Sequence, residues 1–132
     1  MENRPVNLLE ACRAYARMLN TLDYAHLEPW LQKRFRYESQ WVLKPITSKQ
    51  EFEDYIVKKL ICIKQEKQKI LAEIGYLDKG SGRRKPCVFV CQDTSDNMIA
   101  IALVEVSRKI SRIDLCIAPF PHKFIRTGEY PA

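Results

Sequence analysis

The sequence predicts an α+β domain in which helices come first and a curved, mostly antiparallel sheet follows. Apolar residues recur with helical spacing in residues 6–22 and again between Ser48 and Lys67, whereas from Ile70 onward short apolar runs alternate with turn residues. The predicted order is helix, short helix, strand, helix and then four strands. Helices that are segregated from the sheet in this way indicate an α+β layout, not the alternation of a parallel α/β fold.

The first helix is predicted over residues 6–22, where apolar side chains fall on one face. Pro5 lies just before its first turn, where the missing N–H costs nothing. Asp23 is a candidate N-cap for a second helix that extends to Leu31. Because Pro29 lies inside that segment, the second helix should be brief or distorted.

The third helix is predicted to begin after Ser48. Ser48 followed by Glu51 matches the capping box, in which each of the two side chains bonds to the other residue's backbone N–H. The helix should run to about Lys67. Its buried stripe is expected to consist of Phe52, Tyr55, Ile56, Leu60 and Ile63.

The strand between the second and third helices is predicted over residues 34–43. Phe35, Tyr37 and Trp41 alternate there with charged and polar residues, so the strand should have one aromatic face. Pro45 should end it, because proline cannot continue a hydrogen-bonded strand.

Four further strands are predicted after the third helix, separated by turn residues such as Gly80. Pro119 and Pro121 should stop the sheet, which leaves residues 119–132 as a polar C-terminal tail. The four predicted strands cover residues 70–77, 86–92, 98–106 and 110–117.

Length and composition indicate a single domain over residues 1–132. A chain of 132 residues is too short for two independent cores, and a 46% apolar content is enough for one packed interior. No stretch approaches the roughly 20 apolar residues of a membrane helix. The N-terminus lacks the charged-then-apolar layout of a secretory signal, so we expect a cytoplasmic protein.

The cysteines favour a reduced protein without a metal centre. They are odd in number and lie in apolar runs, which is typical of buried thiols and not of a disulfide framework. Cys87 and Cys91 would lie roughly 13 Å apart on one strand, too far for one metal ion. His26 and His122 have no ligand-like spacing, so no metal and no cofactor are expected. The five cysteines are Cys12, Cys62, Cys87, Cys91 and Cys116.

The net charge of +6 raises the question of nucleic-acid binding. Most basic residues are interrupted by acidic ones, and only Arg83, Arg84 and Lys85 form a tight group. That group follows Gly80, Ser81 and Gly82, which is typical of a solvated loop tip. Nucleic acid is therefore not the expected partner.

Three phrases of the sequence, in this order, resemble the nuclear-transport-factor-2-like (SnoaL-like, ketosteroid-isomerase-like) superfamily. They are the segment from Tyr15 to Asp23 (YARMLNTLD), the strand segment from Arg36 to Ser39, and the closing segment 109–119. Together they cover nearly the whole chain. The resemblance implies a cone of helices on a curved sheet, an apolar pocket at its open end, and a homodimer formed through the outer face of the sheet.

The resemblance does not imply one activity, because the superfamily includes isomerases, cyclases, dehydratases, epoxide hydrolases and non-enzymatic domains. Tyr15 matches the oxyanion tyrosine of the isomerases, although we favour the interpretation that it is a core tyrosine. Ser39 occupies the position of their aspartate base and cannot take up a proton near neutral pH. Glu38 should face the other way, and Ala100 and Ala102 occupy the region of the second acid, so isomerase chemistry is not expected.

Arg112 and Asp114 have the Arg-x-Asp spacing used by epoxide hydrolases of the superfamily, but on a different strand. The apolar residues that alternate with them over 113–117 should face the cone, so Arg112 and Asp114 should face outward. We interpret them as an ion pair or a dimer contact, with Glu105 as a further candidate partner.

The inner face of the predicted cone would bring together aromatic and apolar side chains with a few hydroxyl groups, a composition typical of small-molecule sites. The alternative is that these side chains simply fill the cone. The candidate ligand-binding residues are Tyr15, Leu19, Trp30, Tyr37, Ser39, Trp41, Tyr55, Leu115 and Ile117.

Three functional hypotheses follow. The leading one is a dimeric domain without catalytic apparatus that binds a small apolar ligand. The second is an enzyme of the cyclase, dehydratase or isomerase kind that uses Glu38, Glu73 or Asp114 as its acid. The third is a scaffold that binds an acidic partner through the basic residues 83–85 and 123–126.

Overall fold

The computed structural model describes residues 5–40, 42–92, 99–117 and 123–132. Within these ranges the chain forms two α-helices, two 3-10 turns and six strands. The helices are α1 (Leu8–Thr21) and α2 (Lys49–Gln65), and the 3-10 turns are Tyr24–His26 and Glu28–Trp30. The strands are β1 (Leu31–Ser39), β2 (Ile70–Asp78), β3 (Arg84–Gln92), β4 (Ile99–Ser107), β5 (Lys109–Ile117) and β6 (Phe124–Glu129).

Helix α1 begins with a complete capping box that the sequence-based prediction did not use. The Asn7 side chain accepts a hydrogen bond from the Glu10 backbone N–H at 2.7 Å, and the Glu10 carboxylate accepts one from the Asn7 N–H at 3.2 Å. The helix therefore begins at Leu8, two residues after the predicted start. It ends at Thr21, and the C-cap residue Leu22 has a left-handed φ of 56°.

The second predicted helix is indeed brief. It consists of the two 3-10 turns, of which the first is capped by Asp23 and the second contains Pro29. The predicted N-cap of α2 is also confirmed, because the Ser48 hydroxyl accepts from the Glu51 N–H at 3.1 Å. The Glu51 carboxylate in turn accepts a hydrogen bond from the Thr47 hydroxyl at 3.2 Å.

The six strands form one sheet in the order β1-β5-β4-β3-β2-β6. Strand β1 runs parallel to β5, and the other four pairs are antiparallel. The predicted α+β class is confirmed, with a mixed, unclosed sheet in which the parallel pair lies at one edge.

Strand β1 covers Leu31–Ser39 and not the predicted residues 34–43. After Ser39 the chain turns and returns beside the strand, where the backbones of Tyr37 and Ile46 exchange two hydrogen bonds of 2.8 and 2.9 Å. The returning segment thus pairs with the edge of β1 that does not face β5.

The predicted polar tail over residues 119–132 is wrong for its central part. Strand β6 pairs with β2, with Phe124 opposite Leu77 and Ile125 opposite Tyr76. The polar composition was misleading because these side chains bond to the domain itself. For example, the Thr127 hydroxyl donates to the Ile74 carbonyl at 2.6 Å. Pro119 and Pro121 lie outside the described residues.

The main core lies between the helices and the inner face of the sheet. Alternate residues of the strands, such as Ile74, Val88, Val104 and Ile113, point into it. Helix α2 contributes the predicted stripe with one difference, since Tyr55 is only partly buried. No helix in the described part of the chain is long and apolar enough to span a membrane.

The opposite face of the sheet, here called the outer face, carries a second apolar cluster. Cys87, Phe89 and Ile101 are buried in it, and Leu103 and Phe124 pack against them. The two clusters show that the central strands are covered by side chains on both faces.

Candidate ligand site

Three tyrosine side chains from three different elements meet on the inner face of the sheet. Tyr15 comes from α1, Tyr37 from β1 and Tyr55 from α2. Tyr15 and Tyr37 are each only 2% exposed. The ring of Tyr37 lies 5.1 Å from that of Phe52 and 5.7 Å from that of Tyr55, between ring centroids. We call Tyr15, Tyr37, Tyr55 and the neighbouring Ser39 the hydroxyl cluster.

The hydroxyls of the cluster interact with one another. Burial raises the pKa of Tyr37, the nearby Tyr15 and Tyr55 raise it further, and a hydrogen bond with Ser39 acts in the opposite direction. Burial also raises the pKa of Tyr15, with a smaller effect from Tyr55. Tyr15 and Tyr37 therefore stay protonated at neutral pH, where they can donate hydrogen bonds but cannot act as bases.

An open groove of about 570 Å³ lies along α2 and reaches the cluster through Tyr55. Lys59 lies on this tyrosine, with its Nζ 3.5 Å from the hydroxyl and 5.8 Å from the ring centroid. The groove is lined by Ile46, Glu51, Asp54, Tyr55, Lys58, Lys59 and Cys62. Lys59 follows Tyr55 by four residues, a spacing that places both on one face of a helix, so the sequence held a signal for this contact.

The two acids of the groove lie on its rim and are exposed. Glu51 is bonded to the Thr47 hydroxyl, and Asp54 accepts a hydrogen bond from the Gln50 amide at 3.3 Å. These contacts are local ones within or beside α2. Neither acid therefore has a hydrogen bond to the tyrosine hydroxyls.

Two of the three acids considered for catalysis, Glu38 and Asp114, lie around Arg112 on the outer face. The Nε of Arg112 lies 2.9 Å from Asp114 Oδ2 and 3.7 Å from Glu105 Oε2. Its terminal nitrogen donates to the Glu38 carboxylate. The expectation that Arg112 and Asp114 face away from the core is therefore met, and Glu105 joins them.

The third acid, Glu73, is the one buried charged residue in the described part of the chain, with 4% of its surface exposed. Its carboxylate accepts from Arg126 Nε at 2.9 Å, the Gly128 N–H at 2.7 Å and the Tyr130 hydroxyl at 3.2 Å. Burial alone would raise the pKa of Glu73, but these hydrogen bonds outweigh it and lower the pKa. Glu73 is thus an ionised anchor for β6 and not a proton donor.

The structure distributes the nine predicted ligand-binding residues over different environments. Four of them, Tyr15, Leu19, Tyr37 and Leu115, belong to the buried core, and Trp30 and Tyr55 pack against it. Ser39 is half-buried and Ile117 is 41% exposed. Trp41 lies outside the described residues. Their role in binding stays a prediction.

The described residues contain no group of three or more His, Cys, Asp or Glu side chains that could hold a metal ion. All five cysteines are free, and Cys12 and Cys87 are fully buried. His122 lies outside the described ranges. The chemistry that the groove residues offer is hydrogen bonding by the Tyr55 hydroxyl, the charges of two lysines and two carboxylates, the Cys62 thiol and apolar contact with Ile46.

No protein-family model matches the sequence, and no curated protein matches it. Solved structures do match. A nuclear-transport-factor-2-like protein of unknown function from Cytophaga hutchinsonii superposes with a TM-score of 0.61 at 12% identity, covering 89% of this chain and 95% of that one.

Two further matching structures are of a ligand-binding protein and an enzyme. The Anabaena (Nostoc) orange carotenoid protein binding canthaxanthin matches with a TM-score of 0.57 at 16% identity, over 91% of this chain and 38% of that one. An LEH-like epoxide hydrolase from M. tuberculosis matches with a TM-score of 0.51 at 14% identity, over 83% of each chain. At these identities the likeness shows a common fold and no common activity.

Proposed function

We propose that this chain, which has the nuclear-transport-factor-2-like fold, is a cytosolic domain without catalytic apparatus that binds a small, mostly apolar ligand. The ligand carries one hydrogen-bond acceptor and enters along the α2 groove. The observation that carries this proposal is the position of Tyr55, which lines the groove and also belongs to the hydroxyl cluster.

The dimensions and lining of the groove support a small-molecule ligand. Its volume of about 570 Å³ lies inside the range of about 300–1,000 Å³ that such sites occupy. Ile46 offers an apolar wall, and the Tyr55 hydroxyl offers a donor for a carbonyl or similar oxygen.

The charges of the domain support a role without proton transfer. The buried tyrosines stay protonated, and Glu38, Glu73 and Asp114 are all engaged by arginines. General acid–base catalysis needs a group whose pKa lies near the working pH and within reach of the reacting atom. The hydroxyl cluster supplies hydrogen-bond donors instead.

The test uses two ligands that differ by one carbonyl group, α-tetralone and its parent hydrocarbon tetralin. Binding is followed through the backbone amide shifts of Ile46, Tyr55 and Cys62 in NMR titrations. We expect the ketone to bind about three- to tenfold more tightly, because one hydrogen bond contributes about 0.5–1.5 kcal/mol. Equal affinities for the two ligands, or no shifts at these residues, would contradict the proposal.

A matched pair of variants assigns the effect to Tyr55. Tyr55→Phe removes only the hydroxyl, so it should abolish the preference for the ketone while tetralin binding persists. Tyr76→Phe is the control, since Tyr76 lies on β2 opposite Ile125 and is not part of the groove. A ketone preference that survives in Tyr55→Phe would assign recognition to another group.

We further propose that the domain forms a homodimer through the outer face of its sheet. The support is the apolar cluster on that face, where Leu103 and Phe124 remain partly exposed around the buried Phe89. Sedimentation equilibrium should show a dimer that Leu103→Glu converts to a monomer, because the new carboxylate would be buried without a partner. Val57→Glu, on an exposed position of α2, is the control. A wild-type monomer at all concentrations would refute the dimer.

A further inference from the structure

The turn between β2 and β3 gathers more positive charge than the sequence indicates. Leu77 pairs with Lys85 on one side and with Phe124 on the other, and Lys123 immediately precedes Phe124. The strand pairing thus brings Lys123, from a distant part of the chain, beside the basic turn. The basic hairpin surface, as we call it, consists of Lys79, Arg83, Arg84, Lys85 and Lys123.

The backbone of the turn holds these side chains outward. Gly80, Ser81 and Gly82 all have left-handed φ values of 83°, 53° and 75°. The turn is closed by hydrogen bonds of 2.9 Å from Lys79 N–H to the Arg83 carbonyl and from Arg83 N–H to the Gly80 carbonyl. Both closing bonds use backbone atoms, so the side chains of the exposed Lys79 and Arg83 are not consumed by the turn.

The one acidic residue in segment 77–86 is Asp78. Its carboxylate accepts a hydrogen bond from the Gly80 N–H at 2.8 Å and so stabilises the turn. Within this segment four cations, Lys79, Arg83, Arg84 and Lys85, stand against that one carboxylate, which leaves a clear positive excess at the turn. Such an excess attracts carboxylates or phosphates and not cationic partners.

A depression of about 620 Å³ adjoins the positive charges. It is lined by Leu77, Asp78, Lys79, Gly80 and Lys123. Leu77 is only partly buried, so it offers an apolar contact in the middle of a basic rim. An apolar side chain flanked by negative charges would complement both features.

We propose that the basic hairpin surface binds an acidic segment of a partner protein, in which carboxylates flank a large apolar side chain. The apolar side chain contacts Leu77 in the depression, and the carboxylates meet the exposed Lys79, Arg83 and Arg84 around the turn. Arginine is suited to this role because its planar guanidinium can bond a carboxylate through two parallel N–H groups.

Nucleic acids and membranes fit this surface less well. Among the described residues, those that line the depression include no aromatic side chain for base stacking, which single-stranded nucleic acids use. The tip of the turn, Gly80-Ser81-Gly82, offers no apolar side chain that could enter a lipid interface.

The test uses a fluorescein-labelled heptapeptide with three acidic residues on each side of a central phenylalanine, measured by fluorescence anisotropy. We expect binding that weakens with salt, because exposed charges are screened. The double variant Arg83→Glu/Arg84→Glu should lose about tenfold in affinity, since two attractions become repulsions. Replacing the central phenylalanine of the peptide by serine should also weaken binding.

The matched control is Lys64→Glu/Lys69→Glu, which changes the net charge by the same amount at two exposed positions near the end of α2. It should leave the affinity unchanged. An equal loss in both double variants would show a general charge effect and overturn the proposal. So would absence of peptide binding, or tighter binding of a single-stranded RNA of equal charge or of phosphatidylserine vesicles.

Discussion

Arg13 on α1 holds Glu129 on β6 through two parallel hydrogen bonds of 2.7 and 3.1 Å, although 116 positions separate the two residues. Both side chains are about 40% exposed, so this pair contributes little stability by itself. Its importance is geometric, because it fixes the last strand against the first helix. Asn20 adds a bond of 2.7 Å to the Pro131 carbonyl, and Glu73 binds Arg126 on the other face.

The first prediction concerns the buried carboxylate of Glu73. Glu73→Gln removes the negative charge and replaces one carboxylate oxygen by an N–H₂ group. That group cannot accept a hydrogen bond from Arg126, Gly128 or Tyr130, which all donate to the carboxylate. We expect the free energy of unfolding at neutral pH, measured with urea, to fall by about 1–3 kcal/mol. Glu66→Gln, at an exposed position after α2, is the control and should change stability by less than about 0.5 kcal/mol. Equal effects of the two substitutions would show that Glu73 is not an anchor.

The stability difference between the wild type and Glu73→Gln should depend on pH, and the sign of this dependence follows from the pKa of Glu73. Hydrogen bonds lower the pKa of Glu73 in the folded state, against the opposing effect of burial. Its stabilising contribution is therefore complete above the unfolded pKa of about 4.3 and disappears as the pH falls through the lower folded value. The stability difference between wild type and Glu73→Gln should be constant near neutral pH and shrink below about pH 4. A difference that grows on acidification would contradict this assignment.

Local sequence signals predicted the parts of the fold that depend on nearby residues. Ser48, Asp23 and Pro29 act within a few positions, so α2 begins and the second helix stays short as predicted. Strand β6 depends on Arg13, Asn20 and Glu73, which lie 50 or more positions away along the chain. A polar segment is predicted as a solvated tail when the residues that bond to it lie far away in the sequence. Strand β6 could therefore not be predicted from its own composition.

The second prediction concerns Asn20. Its side-chain amide bonds to the backbone N–H and carbonyl of Ala72 on β2, as the backbone of a neighbouring strand would. Its Nδ2 donates to the Ala72 carbonyl at 2.8 Å, and its Oδ1 accepts from the Ala72 N–H at 2.7 Å. Asn20→Asp keeps the acceptor and loses the donor, so the carbonyls of Ala72 and Pro131 would face a carboxylate. We expect a loss of about 1–3 kcal/mol in the free energy of unfolding. Thr21→Ala, which removes one exposed hydrogen bond to the Arg17 carbonyl, should cost far less and serves as the control.

The candidate site shows the same division between local and distant signals. Periodicity placed Tyr15, Tyr37 and Tyr55 on inner faces of their elements, and the structure brings the three together. The groove beside Tyr55 also needs Ile46, which reaches it only because the chain folds back on β1. No periodicity in the sequence indicates that return, so the groove could not be predicted.

The third prediction concerns the contact between Gly75 and Phe89 on the outer face. The Phe89 ring extends from β3 and covers Gly75 on the neighbouring strand β2. A Cβ atom at Gly75 would overlap this ring. Gly75→Ala should therefore destabilise the domain by about 1–3 kcal/mol, because the ring must leave its position. In the background of Phe89→Leu the same substitution should cost much less. A double-mutant cycle measured by urea unfolding tests this, and additive effects would show that the two residues do not interact.

The final prediction concerns the reactivity of the cysteines. Burial raises the pKa of both Cys12 and Cys87 to about 12, so their thiols stay protonated and inaccessible at neutral pH. Cys62 is exposed in the α2 groove. Since the thiolate is the nucleophile, iodoacetamide should modify Cys62 first and leave Cys12 and Cys87 intact until the protein unfolds. Peptide mass mapping after timed labelling, with a urea-unfolded sample as the control, measures the order. Labelling of Cys12 or Cys87 at the rate of Cys62 in the folded protein would show that the described core opens more readily than its packing implies.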